Sequence, residues 1–501
     1  MAGDSVAAAA SSRTHRVLIA VYGCLFVVAG LGFSPYGFNR AEVFVTPKVQ
    51  LWLLSLVPLL LLVLVGIRER HHRADGTPRL MTGRPPAAVI AALVAMVVIA
   101  AITALQGQRV SWIGYPSIPE GALFFLALFG GFALVWAVAR RHGPIDRVVR
   151  ASVIIVAVGA SLAAVPQVID WRIDFTVTSG QTVGDPPRHT LVSVWRGQSP
   201  NTFFWHRGHL GIVACVGLLT AAGSLLRLPA SRRRTRTLLY FALVVTSLGV
   251  MVSSTRAPQL AAGIGMVVLW LAELWYARLR SGATSITASG LLAKAVRQAA
   301  AVLLGLALGG GLMLGAGDVR ALSLFGLVAG EASVDQVFGG TSGRDRYWRL
   351  SLDAWRESPW LGTGFMSFHL VQAADALRSA VEGGELTSVE ANAAHVSEGT
   401  VSVVRDDGSR WWRYLWGSKP HNAVLELLLG VGVIGALVVL AIYGGTLIAF
   451  FRSREPLGIA LIAAWFTYLL FWYESIQYSP VVWSLMAVLV ARAPGARTEE
   501  P

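Results

Sequence analysis

Apolar blocks of bilayer-crossing length recur along the chain, at residues 17–33, 49–66, 87–105, 122–139, 151–167, 209–227, 238–255, 257–276, 298–317, 423–450, 457–474 and 480–491. A helix needs about 20 apolar residues to cross the hydrocarbon layer, so the pattern predicts about twelve transmembrane helices. No ten-residue alternation competes with it, which favours helices over a barrel. The expected fold is therefore all-α, a polytopic membrane helical bundle. It divides into spans 1–9 over residues 1–317, a large polar segment over 318–422, and spans 10–12 over 423–501. A second long polar connection falls near 167–208.

Inside the large segment, the run Arg344–Glu357 lacks Pro and Gly and predicts a helix of about four turns at 3.6 residues per turn. Its apolar stripe, Trp348, Leu352 and Trp355, suits a helix lying against a membrane lip. Ser358-Pro359-Trp360-Leu361-Gly362-Thr363-Gly364-Phe365 then breaks the helix. Residues 369–418, apart from a short helix at 369–382, are rich in turn signals and read as an elaboration rather than as a core.

Composition agrees with the membrane reading: 54% of the 501 residues are hydrophobic and 14% charged, and the mean hydropathy is +0.59. The net charge of +14 is not a nucleic-acid signature. Arginines gather in alternate connections, as in Arg140, Arg141, Arg147, Arg150 and in Arg232, Arg233, Arg234, Arg236. That distribution predicts both termini inside and the large segment outside the plasma membrane. Residues 318–422 hold 10 basic and 13 acidic side chains, and long translocated loops are exempt from the rule. The N-terminal block 17–33 has no small-residue cleavage pattern after it and is expected to be a retained span. Cys24 and Cys215 fall inside apolar blocks and read as packing residues.

Charged and aromatic residues at block ends are the candidates for chemistry. Arg256 sits in a tight hairpin between two blocks, where a guanidinium needs an anionic partner. Arg344, Arg346, Arg349 and Arg356 crowd one helix beside Trp348. Lys419-Pro420-His421-Asn422 leads straight into the tenth block, with Glu426 one turn further. His206, Arg207 and His209, set among Trp195, Phe203, Phe204 and Trp205, read first as an aromatic belt at the headgroup level. Contact of Arg207 or either histidine with an anionic headgroup is the second reading. No Asp-x-Asp run occurs in the predicted outer connections, and Asp406-Asp407 lies in a turn-rich stretch, so no metal site is expected.

Four runs, in this order and placement, resemble the O-antigen ligase and polysaccharide polymerase superfamily of bacterial membrane glycosyltransferases. They are Ser254-Thr255-Arg256-Ala257-Pro258, Gly343-Arg344 with Tyr347-Trp348, Ser358 to Phe365, and Pro420-His421-Asn422 followed by Gly430-Val431-Gly432-Val433-Ile434-Gly435. The resemblance spans the seventh to the tenth block. It implies transfer of a glycan from an undecaprenyl-diphosphate carrier to a glycan, lipid or protein acceptor on the outer face of the bacterial inner membrane, with no cofactor. It also implies His421 as general base and Arg256 and Arg344 as diphosphate ligands. Arg346, Trp348, Asn422, Glu426 and Arg207 are candidate supporting residues. Ligation, polymerisation and protein O-glycosylation share this donor chemistry. A transporter or flippase is the competing class; against it, Arg256, Glu426 and Glu474 gather at one end of the predicted spans and the two halves show no repeat.

Overall fold

The computed structural model describes residues 2–33, 44–71, 85–115, 118–169, 174–176, 188–190, 200, 202–204, 206–280, 288–316, 344–397, 400–415 and 419–492. The first half holds α1 (Ala2–Leu31), α2 (Thr46–His71), α3 (Ala87–Gln106), the short α4 (Arg109–Ile113), α5 (Ala122–Arg141) and α6 (Pro144–Val168). Two short antiparallel strands, β1 (Asp174–Thr176) and β2 (Arg188–Thr190), follow. Next come α7 (Arg207–Arg227), α8 (Arg233–Val252), α9 (Arg256–Arg280) and α10 (Ala288–Gly315). After the polar segment, α14 (Ala423–Ser453), α15 (Pro456–Leu469) and α16 (Ser479–Val490) complete the bundle. Between α10 and α14 lie α11 (Arg344–Glu357), α12 (Phe368–Glu382), α13 (Ser388–Asn392) and the strands β3 (His395–Ser397), β4 (Thr400–Val404) and β5 (Arg410–Tyr414).

Among the described residues, ten helices are long and apolar enough to cross a membrane, and α15 and α16 are shorter apolar helices. Each of the twelve expected blocks falls on one of these twelve helices. The chain is an all-α, multi-pass membrane protein, with lipid as its surrounding solvent.

Burial explains the arrangement of the helices. α7, 94% buried over its most apolar window, is the central post, enclosed by α6, α8, α9 and α15. Peripheral helices keep large apolar side chains on their outer faces, including Leu60, Val97, Leu271 and Leu303. In lipid such faces need no further cover.

The polar segment begins with α11 (Arg344–Glu357), as its composition predicts. Pro359 stops it, and the turn that follows docks onto α14 backbone to backbone. Thr363 and Gly364 N–H donate to the Leu429 and Gly430 carbonyls (2.7 and 3.2 Å), while Val433 and Ile434 N–H donate to Pro359 and Trp360 (2.9 and 3.3 Å). Gln106 on α3 adds bonds from its amide to the Leu361 and Gly430 carbonyls (2.7 and 3.0 Å). These bonds require a break in α14, and Gly432 supplies it with φ of +64°. A Cβ there would stand 2.3 Å from the Trp360 carbonyl carbon. The sequence predicted one uninterrupted span over 423–450. The kink arises because the two glycine-rich runs must approach at backbone contact.

Residues 368–397 and 400–415 fold as a small α+β unit, which the turn-rich composition did not announce. It contains α12 (Phe368–Glu382), α13 (Ser388–Asn392), opened by a Thr387–Glu390 capping box, and an antiparallel sheet in the order β3-β4-β5. The strands are β3 (His395–Ser397), β4 (Thr400–Val404) and β5 (Arg410–Tyr414). The unit has its own apolar core, including Ala373, Ala380, Leu386, Val401, Val403 and Trp411. Short strands separated by turn residues carry too little period-2 signal to stand out beside a membrane helix.

Candidate functional site

One buried lysine fixes the position of the site. Lys419, 1% exposed, has three donors, and each has an acceptor: Glu120 at 2.8 Å, Glu426 at 2.6 Å and the Glu474 backbone carbonyl at 3.1 Å. Burial alone would lower the Lys419 pKa, but Glu120 and Glu426 outweigh it and hold the ammonium charged. Glu120 also accepts from Ser475 Oγ and the Ile476 N–H (2.5 and 2.8 Å). The loop before α14 is thereby tied to the loop between α15 and α16 and to the segment preceding α5.

The next three residues each have a defined place. The Pro420 carbonyl accepts from Trp348 Nε1 at 3.1 Å, joining α11 to this loop. Asn422 caps α14, its Oδ1 accepting from the Val424 and Leu425 N–H (3.0 and 3.1 Å), while its Nδ2 donates to the Leu470 carbonyl at 3.0 Å. Between them, His421 is held at φ of +54°, a left-handed conformation unusual for a residue with a Cβ. The strained backbone turns the half-buried imidazole into a ring of aromatics. Trp472 lies 5.2 Å away, Tyr473 5.5 Å, and Tyr347 of α11 stacks at 6.3 Å.

The His421 tautomer follows from its hydrogen bond. Nδ1 lies 3.0 Å from the Lys419 carbonyl oxygen, which can only accept. Nδ1 therefore carries the proton, and the lone pair of the neutral ring is on Nε2. Burial, followed by the charges of Arg344 and Lys419 and opposed by the Lys419 hydrogen bond, pushes the His421 pKa down to about 4. At neutral pH the ring is an uncharged proton acceptor.

Arg344, the first residue of α11, extends its guanidinium over the Trp472 ring, 5.7 Å from the centroid. Burial lowers its pKa; Tyr468 opposes this and the nearby Arg256 charge adds to it. Arg256 opens α9 immediately after a hairpin in which Ser254 has φ of +46°. His206 caps α7, its Nδ1 accepting from the Gly208 N–H at 2.9 Å. Its pKa is lowered by burial first, then by His209, Arg207, His421 and Arg344. Arg256, Arg344, Arg207, His206 and His421, from four separate parts of the chain, thus occupy one end of the bundle at electrostatic range.

The remaining candidates fall into two groups. Trp348, Asn422 and Glu426 build the loop that carries His421. Arg346 turns away, 61% exposed at its side chain and paired with Asp375 of α12. Sequence reasoning missed Trp472 and Tyr473. Trp472 touches Arg344, His421 and His206, the last at 4.7 Å between ring centroids. The run Phe471-Trp472-Tyr473-Glu474, aromatic and ending in a carboxylate just past an apolar helix, was the available signal. In comparisons with family models and with curated protein sequences the chain has no match.

Proposed function

We propose that the protein is a glycosyltransferase of O-antigen ligase or polymerase type, moving a glycan from an undecaprenyl-diphosphate carrier to an acceptor hydroxyl at the outer face of the bacterial inner membrane. The observation that carries the reading is the crowding of Arg344 and Arg256 beside a neutral imidazole whose Nε2 keeps its lone pair. In the reaction, Nε2 takes the proton of the acceptor hydroxyl as that oxygen attacks the anomeric carbon. The bond from that carbon to the diphosphate oxygen breaks, and the electron pair leaves with the diphosphate. Guanidinium groups suit the departing anion because they stay charged and bind phosphate oxygens in pairs. Low solvent access strengthens their effect.

The opposite end of the bundle supports the orientation. It carries Arg140, Arg141 and Arg147 and the run Arg232–Arg234 at its connections, the bias expected of a cytoplasmic face. The test uses purified full-length protein in detergent with a polyprenyl-diphosphate-linked oligosaccharide and a saccharide acceptor, read by mass spectrometry. Wild type forms the joined product, and His421→Ala lowers the rate about 10²–10⁴-fold, the range for a lost general base. Wild-type rates in His421→Ala would remove the base assignment. A carrier would form no product in detergent, where there are no compartments to move solute between.

A further inference from the structure

The sheet of the α+β unit has two unlike faces. Along β5 the exposure alternates: Trp411 is buried, while Arg410, Trp412 and Tyr414 point the other way and are exposed. Trp411 joins Val401 and Val403 of β4 in the unit's core. On the outer face the strand register sets His395, Ser402 and Trp412 in one row across all three strands, with Thr400 and Tyr414 in the next. Trp412 and Tyr414 are 52% and 61% exposed, and their rings meet edge to face with centroids 4.8 Å apart. They stand on β5, the edge strand of the sheet among the described residues.

Two large aromatics side by side on a solvent face mark a surface built to bind. Their neighbours identify the ligand. A face that inserts into lipid is apolar across its rows, whereas here each aromatic shares its row with a hydroxyl, and Trp412 also with an imidazole. A sugar ring presents the matching surface: a flat patch of C–H bonds that packs on an aromatic face, rimmed by hydroxyls that bond to polar side chains. Rigid Trp and Tyr rings also give contact area at little entropy cost.

We propose that the outer face of β3-β4-β5, centred on Trp412 and Tyr414, is a saccharide-binding platform that holds a glycan chain extending from the His421 site. Its place in the chain supports this. Tyr414 precedes His421 by seven residues, and a chain of that length spans at most about 25 Å. An oligosaccharide leaving the reaction centre reaches the platform within a few sugar units. The role given to the platform rests on the glycan-transfer reading; its sugar-binding chemistry does not.

The test uses full-length protein in detergent on an immobilised panel of bacterial capsular and O-polysaccharide fragments. Wild type retains a subset of them. Trp412→Ala and Tyr414→Ala each weaken retention about tenfold or more, as loss of a central aromatic contact does, and Trp412→Phe, which keeps a ring, retains most of it. Val389→Ala, an exposed residue of α13 outside the sheet, binds as wild type does. Retention of no fragment, or equal retention by the alanine variants, overturns the proposal. So does quenching by brominated lipid in nanodiscs of the fluorescence that Trp412→Phe removes, because it places this face in the membrane. Specific retention by a protein that transfers nothing from a polyprenyl-diphosphate donor overturns the transferase reading and leaves the platform standing. Transfer without retention does the reverse.

Discussion

At one end of the bundle, Arg227 meets Glu455 at 2.7 Å and Glu273 at 3.9 Å, and Asp146 takes both Arg150 and Arg492. At the other end, the Arg256 charge acts on Arg344, the imidazoles of His206 and His421 both feel Arg344, and His206 also feels His421. The buried carboxylates beside the His421 loop, Glu120 and Glu426, are both engaged by Lys419. The first arrangement holds helices together: Arg227 on α7 reaches α9 and α15. The second opposes folding, since like charges repel and partial burial deprives them of water. A cluster of that kind persists where packing elsewhere holds it, and it gains free energy when a polyanion arrives. The contrast is between opposite charges paired across helices and like charges brought within electrostatic range of one another.

Breaking the ligand-facing side gives the largest expected effects. Arg344→Ala and Arg256→Ala each lower transfer roughly 10²–10³-fold, the cost of a lost transition-state stabiliser. Detergent-stable monodispersity should be unchanged, since removing one of several crowded cations relieves repulsion. Parallel rate and size-exclusion measurements check both statements. Breaking the buried Lys419 network at the same end acts on the fold instead. Lys419→Met leaves Glu120 and Glu426 buried without their cation, a loss of about 3–5 kcal/mol, read as a large fall in melting temperature before any activity is assayed.

Gly432→Ala tests the backbone docking that brings α11 to the site. Its φ of +64° and the close Trp360 carbonyl predict roughly 1–3 kcal/mol of destabilisation, measured by thermal unfolding in detergent. Acid sharpens the comparison further. His421 titrates near 4 when folded and near 6.5 when unfolded, so between those values the unfolded chain holds more protons. Its contribution to stability is complete above about pH 6.5 and declines as the pH falls toward 4. The acid limb of the pH–rate profile should likewise lie well below that of a free imidazole; a limb at 6.5 or above contradicts the assignment. The smallest effect belongs to Arg346→Ala, whose exposed pair with Asp375 is worth under about 1 kcal/mol, and transfer should change little.

The bundle was legible because 3.6-residue periodicity and bilayer thickness act on every block alike, and Arg344–Glu357 was legible because no Pro or Gly interrupts it. The site was legible in part. His421 and Arg256 stood out as polar residues at the ends of apolar blocks and Arg344 as the start of an arginine-rich helical run, and the three share one end of the structure. The Lys419–Glu426 pair and the Asn422 cap are local, two to seven residues apart, and a capping residue before an apolar run was a legible signal that went unused. The sequence could not show that Lys419 also engages Glu120, or that Trp472 joins Arg344 to His421, because these contacts cross tens to hundreds of residues and leave no local pattern. The kink at Gly432 was hidden for the same reason. Its cause is the 359–364 turn, some seventy residues earlier in the chain.

The most direct test is equilibrium binding of a polyprenyl diphosphate carrying no sugar to the purified full-length protein, with Arg344→Gln, Arg256→Gln and Arg346→Gln compared against wild type. The account predicts that wild type and Arg346→Gln bind alike, and that Arg344→Gln and Arg256→Gln bind at least about tenfold more weakly, as expected when a charged hydrogen-bond partner of a phosphate is lost. Equal affinity in all four proteins would contradict it.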